Sequence, residues 1–109
     1  MIGEQELIDQ IATLEAGALS RWIERGWVVP AVGIEGYAFA DVDVARVRLI
    51  CDLSHDMDID EDALPIILSL VDQLHDARHL LRVLGIAISA LPKEARDLIA
   101  AALARTLEP

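Results

Sequence analysis

A chain of 109 residues has room for one domain, or for one small domain with an extension, and its 54% hydrophobic content excludes wholesale disorder. A formal net charge of -10 argues against the broad basic footprint that neutralises nucleic-acid phosphates, and it favours basic partners. The single cysteine, Cys51, excludes an internal disulfide; with Val47, Leu49, Ile50 and Leu53 beside it, it reads as a reduced core thiol.

From the N-terminus, Leu7, Ile8, Ile11 and Ala12 recur at helical spacing and predict a short first helix over residues 4–13. Only the first five residues and the last three read as loose. Thr13 is placed to cap a second helix, about residues 15–25, with Leu19, Trp22 and Ile23 on one apolar face and Gly26 ending it. Trp27-Val28-Val29 reads as a strand limited by Pro30. Gly33 to Gly36 supplies a turn, and Tyr37-Ala38-Phe39 returns as the second strand of a small two-stranded wing. Asp41 is placed to cap a third helix, about 42–54, burying Val44, Val47, Leu49 or Ile50, Cys51 and Leu53.

A polar break over residues 54–62 follows, with Asp60 placed to cap a long fourth helix, about 61–85. Pro65 lies near its start, where a missing N–H costs least, and Gly85 loosens its end. Its apolar positions, Leu64, Ile67, Val71, Leu74, Leu81 and Leu84, widened by Leu68, Leu70, Leu80 and Val83, exceed what a surface helix needs. Such a helix packs on two sides. The second cover is either the tail of the same chain or another copy, and a homodimer seam through Ile67, Val71, Leu74, Leu81 and Leu84 is the expectation. Leu91-Pro92-Lys93-Glu94 then starts a final helix with Leu98, Ile99, Ala102 and Leu103 as its stripe. The expected organisation is a domain over residues 1–60 and a helical, dimerising segment over 61–109.

Charge is unevenly distributed along this order. Residues 1–40 carry six acids and two bases, residues 41–76 ten and two, and residues 77–109 three and five. The middle third is the acidic face.

The chemistry-bearing patterns are weak ones. An EF-hand loop begun at Asp56 would have Glu61 where glycine is needed and Ile67 where the bidentate Glu belongs, so the acids read as a solvated loop. His75 and His79 have the spacing of a zinc pair, but the Glu base and a third ligand are missing. No phosphate loop or nucleophile triad is present, and the expectation is a non-enzyme with no cofactor and no metal. Trp22, Trp27, Tyr37 and Phe39, all four aromatics of the chain, read as the cover under the wing, with an exposed partner anchor as the alternative. Arg21, Arg25, Arg46 and Arg48 are the only phosphate-contact candidates in this half, and acids outnumber them. The N-terminus has no basic n-region or apolar core of a secretory signal, and no stretch approaches the roughly 20 apolar residues of a membrane span; the expected location is the cytoplasm.

Three segments carry a resemblance: Trp22-Ile23-Glu24-x-Gly26-Trp27-Val28-x-Pro30, Ala45-Arg46-Val47-Arg48-Leu49-Ile50-x-Asp52-Leu53, and Leu68-Ser69-Leu70-Val71-Asp72-Gln73-Leu74. Their order resembles the MerR-type winged helix and, more narrowly, the CbpM-type chaperone modulators, over about residues 7–85. The resemblance implies a mainly α chain: a MerR-like winged helix-turn-helix with a small two-stranded wing, a long helix and a C-terminal helix. It also implies a homodimer that binds the J-domain of a CbpA- or DnaJ-like co-chaperone and blocks its stimulation of a DnaK-type Hsp70. The alternative is a MerR-like DNA-binding transcriptional regulator. Against that, the Arg-Tyr-Tyr triplet of DNA-binding relatives stands here as Arg21-Trp22-Ile23, without the phosphate-reaching hydroxyls. For a basic J-domain helix, Asp52, Asp56, Asp58, Asp60, Asp72 and Asp76 are the acids from which a docking surface is drawn.

Overall fold

The computed structural model describes residues 1–108, which are mainly helical with one small antiparallel sheet. The chain divides into two compact units, Met1–Ser69 and the residues from Leu70 on. The division falls later than residue 60 because Leu64 and Leu68 are buried in the first unit's core.

Strand β1 (Ile2–Gly3) leads directly into helix α1 (Glu4–Gln10), whose first turn holds Glu4 and Glu6 where the helix dipole favours acid. The start of the chain is therefore not loose. Ile2 pairs with Phe39 and Gly3 with Ala38, which gives the sheet a third strand beyond the two expected. Helix α1 stops three residues short of the predicted end because Ile11 turns extended, and this directs Ile11 and Leu14 inward. Helix α2 (Ala16–Glu24) has Glu15, not Thr13, as its N-cap; the Thr13 side chain instead hydrogen-bonds Cys51.

At the other end of α2, Gly26 adopts φ 76 while the Trp27 N–H donates to the Trp22 carbonyl at 2.9 Å, the closure that a left-handed glycine permits. The turn puts Trp22 and Trp27 into one core. A Cβ at position 26 meets no neighbour but must adopt the left-handed conformation, so Gly26→Ala is expected to cost about 1–2 kcal/mol in urea denaturation.

The first wing strand is displaced from its predicted place. The N–H groups of Trp27 and Val28 fold back onto Trp22, and the Trp27 carbonyl accepts a hydrogen bond from Arg46 Nε, so this backbone is committed before any ladder forms. Trp27 and Val28 are also buried consecutively, which an alternating strand does not allow. Strand β2 (Ala31–Gly33) begins only after Pro30 and pairs with β3 (Gly36–Phe39) through a two-residue loop, Ile34-Glu35. Gly36, at φ 109, supplies the positive φ that the predicted Gly33 to Gly36 turn requires. The strand order is β1-β3-β2.

Helix α3 (Asp41–Cys51) is capped by Ala40, not Asp41. The Asp43 carboxylate accepts the Ala40 N–H at 2.9 Å, so the acid acts from inside the first turn. The helix widens into a π turn over Asp52–Asp56, closed by the Met57 N–H on the Asp52 carbonyl. Helix α4 (Leu64–Ser89) starts three residues later than predicted. Residues 61–63 form a turn whose Ala63 N–H bonds the backbone carbonyl of Asp60, so Asp60 is not a helix cap. It also runs four residues past Gly85, because Ile86, Ala87 and Ile88 continue the apolar pattern and the first firm breaker is Pro92. Pro92 is the N-cap of helix α5 (Lys93–Leu107), just outside the first turn in which it is expected, and that helix extends into the last three residues, of which Pro109 lies outside the described ones.

The core joins Leu7, Leu19, Trp22, Phe39, Val47, Ile50 and Leu64 from α1, α2, β3, α3 and the start of α4. From residue 70 to residue 108 nothing is buried. The Trp22 indole Nε1 is sealed in the core with no hydrogen-bond partner, and an orphan donor of this kind costs about 1–3 kcal/mol. Trp22 is therefore in the core for its ring, not its polar handle.

Candidate functional site

The arginines of α2 are committed to one carboxylate. Arg21 on α2 and Arg25 at its C-cap lie one turn apart, and both reach Glu61 in the turn before α4. Arg21 Nη2 donates to Oε1 at 2.9 Å and Arg25 Nη1 to Oε2 at 2.8 Å. Two cations on the outer face of a helix are thus answered by a single fork of acid. The Arg25 guanidinium also lies 5.3 Å from the centre of the Trp27 ring. Sequence spacing brings Arg21 and Arg25 together, but no local signal names Glu61, which stands forty residues further along the chain.

The remaining two arginines do other work. Arg46 donates to the Trp27 carbonyl, holding the segment that precedes β2 against α3. Arg48 lines a surface depression with Gln10, Thr13, Cys51, Asp52 and Asp56, where its charge meets two acids. Of four phosphate-contact candidates, three hold protein oxygens and the fourth sits among carboxylates.

Hydrogen bonds from Arg21 first, and from Arg25, hold the Glu61 carboxyl below the usual carboxylate range. A folded-state pKa lowered in this way contributes stability above the unfolded value, near 4.3, and that stability is lost as pH falls through the folded value. The pair is half exposed, so screening limits its worth to about 1 kcal/mol or less. Glu61→Gln is therefore expected to lower the melting temperature at neutral pH by a few degrees. The deficit relative to wild type should shrink as pH falls below the unfolded carboxylate value and disappear once the folded Glu61 is protonated, in thermal melts.

The six acids of the docking pool are all exposed. Asp52 and Asp56 sit one turn apart on the π turn and edge the same depression. Asp58 takes φ 52 and lets the Ile59 N–H reach back to the Leu53 carbonyl at 2.9 Å, so it closes the helix as well as carrying charge. Asp60 follows in the same loop. These four are exposed within the nine residues 52–60 of the first unit, an acidic ridge in sequence. Asp72 and Asp76, one turn apart on α4, belong to the second.

His75 and His79 are exposed, and among the described residues no three His, Cys, Asp or Glu side chains converge as a metal-binding group. Burial pushes the Cys51 thiol up from its ordinary value, despite the hydrogen bond with Thr13. Reaction with a thiol reagent at mild alkaline pH is expected to be slow in the folded protein and fast in urea. Three of the aromatics, Trp22, Trp27 and Phe39, are core. Tyr37 is 39% exposed, set edge-on to Phe39 with ring centres 6.5 Å apart, and it lines a groove with Ser20, Arg21, Ile23 and Glu24 of α2.

The residues assigned to self-association separate into two groups. Ile67 packs against the first unit's core and Val71 is half-buried, whereas Leu74, Leu81 and Leu84 are 52%, 68% and 47% exposed. Among the described residues no helix is long and apolar enough to cross a membrane. No family model, curated protein or solved structure matches the chain.

Proposed function

We propose that α1 to α3 and the hairpin form a MerR-like winged helix-turn-helix that has become a protein-docking scaffold. In this reading the chain is a non-enzymatic chaperone modulator of the CbpM type. It binds the basic face of a J-domain and thereby blocks stimulation of the Hsp70 partner. The observation that carries the reading is the Glu61 fork on Arg21 and Arg25. A DNA-reading winged helix needs those two guanidinium groups free on its second helix, and here both are tied to one carboxylate that cancels half of their charge, while the acids at 52, 56, 58 and 60 face solvent.

All of the net charge lies in the first unit. Residues 1–69 hold fourteen acids and four bases, and residues 70–109 hold five of each. A -10 surface steers a cationic helix at long range and repels a polyanion. The test is calorimetry with the J-domain of a CbpA- or DnaJ-like co-chaperone from the same cell. Binding is expected at low salt and weaker binding at high salt. Reversing Asp52, Asp56, Asp58 and Asp60 together to lysine is expected to slow association by roughly tenfold or more. No heat at low salt, or a sequence-specific DNA shift at nanomolar protein, overturns the reading.

The neutral second unit is the proposed seam of a homodimer. Leu70, Leu74, Ala77, Leu81, Leu84 and Ile88 repeat at alternating steps of four and three along α4, the spacing of a two-helix seam. Eleven leucine, isoleucine and valine side chains from residue 70 to residue 107 stand exposed, at about 58% on average. Burying them contributes roughly 10–19 kcal/mol per copy, enough to offset an association cost of about 4–15 kcal/mol.

A further inference from the structure

A groove of about 740 Å³ opens across the outer face of the sheet, between the start of the chain and the hairpin loop. Its walls are apolar: Met1 is 82% exposed and Ile34 fully so, and Ile34 stands in a two-residue hairpin loop where turn chemistry favours Asn, Asp or Gly. Ile34 buries nothing in this chain. Phe39 points into the core, so alternation along β3 turns Gly36 and Ala38 to the opposite face, and strand pairing sets Gly3, Ala31 and Gly33 beside them. Nothing on that floor is larger than alanine, which gives the groove its depth. Glu4 and Glu35 are the only charged side chains that line it, and among the described residues neither carboxylate has an ion pair or a hydrogen bond within the chain. An apolar groove thus carries two unanswered acids.

We infer that this groove seats the apolar side of a cationic amphipathic helix, whose flanking lysines or arginines answer Glu4 and Glu35. This rests on the J-domain reading above and adds to it where the apolar side chains of that partner's basic helix go. The occupant is a helix, not a strand, because β3 is already paired on both sides and a sheet face offers side chains, not a free backbone ladder. Nucleic acid and a second copy of this -10 chain would each bring negative charge onto the two carboxylates. A basic helix brings the opposite charge. The two surfaces then divide the kinetics: the acids at 52, 56, 58 and 60 set how fast the partner arrives, and contacts in the groove set how slowly it leaves.

The experiment measures binding kinetics of the full chain with the J-domain of a CbpA- or DnaJ-like co-chaperone. Gly3→Gln fills the groove without strain, since Gly3 has an ordinary extended backbone at φ -81 and a Cβ there meets nothing within 4 Å. Dissociation is expected to quicken by roughly tenfold or more, with the association rate and the urea midpoint unchanged. Ile34→Ser lies outside the core and is expected to quicken dissociation by roughly fivefold or more at low and high salt alike. Glu35→Lys is expected to weaken binding by an amount that fades as salt rises. In an NMR titration with the same J-domain, the amides of Gly3, Gly33 and Gly36 are expected to shift while those of Gly17, Gly26 and Gly85 stay in place. If wild type binds but Gly3→Gln and Ile34→Ser both dissociate at the wild-type rate, the groove assignment is overturned and the J-domain reading stands. A wild type that does not bind the J-domain overturns both.

Discussion

Phe39→Ala is expected to destabilise the first unit by about 3–5 kcal/mol, read as a fall in the urea midpoint with little change in slope. Phe39 is 1% exposed and is the residue through which the sheet enters the core. Its backbone pairs with Ile2 in β1, and its ring belongs to the cluster of Leu7, Leu19, Trp22, Val47 and Ile50. Truncation removes the transfer free energy of the ring and leaves a cavity whose walls are fixed by four elements, so relaxation recovers little. For a domain of this size each kcal/mol moves the melting temperature by about 4–8 °C, and the expected fall is at least roughly 12 °C. Trp22 and Trp27 share this core and report the transition by fluorescence. Leu107→Ala, in the exposed end of α5, is the control and is expected to leave that transition unmoved.

The parts of this fold legible in the sequence are those set by neighbours in the chain. The 3.6-residue spacing of Leu19, Trp22 and Ile23, the left-handed Gly26 after them and the turn at Gly33 to Gly36 each act within a few residues, and each is in its expected place. Misplaced features depend on distant partners. Trp27-Val28-Val29 has strand composition, but Arg46 nineteen residues later takes the Trp27 carbonyl, and α2 takes the following N–H groups. Ile2 and Gly3 carry no strand signal of their own; they become β1 because Phe39 and Ala38 offer them a free edge. The caps expected at Thr13, Asp41 and Asp60 are not made: Thr13 lies two residues before the Glu15 cap and hydrogen-bonds Cys51, Asp41 lies one residue after the Ala40 cap, and Asp60 lies four residues before the first residue of α4.

The acidic ridge was legible as composition, because Asp52, Asp56, Asp58 and Asp60 fall in one short segment that can only be exposed. What could not be read was the state of the arginines. Arg21 and Arg25 look free on a helical wheel, and only the folded chain brings Glu61 to both. That single long-range contact ties both guanidinium groups to one carboxylate and halves the positive charge on which a nucleic-acid reading would depend.

Leu74→Asp combined with Leu81→Asp is expected to convert a dimer to a monomer, with a loss of affinity of roughly 1,000-fold, since two central seam leucines each count for about 2 kcal/mol or more. Both side chains are more than half exposed in the single chain and neither touches the first unit's core, so the variant has no reason to unfold that unit. A charge at either position would be carried into an apolar seam without a partner, which costs far more than the leucine contact it replaces. Ile67 behaves differently although it lies on the same helix. It packs against Leu64, Leu68 and their cluster, and Ile67→Asp is expected to lower the urea midpoint as well as the dimer affinity. The contrast separates the two loads on α4: light scattering responds to all three positions, whereas tryptophan fluorescence responds to Ile67 alone. If the Leu74→Asp/Leu81→Asp chain keeps the wild-type dimer mass, the seam lies elsewhere. If J-domain binding persists in a true monomer of this variant, the acidic ridge of the first unit suffices for docking, and dimerisation serves avidity, not recognition.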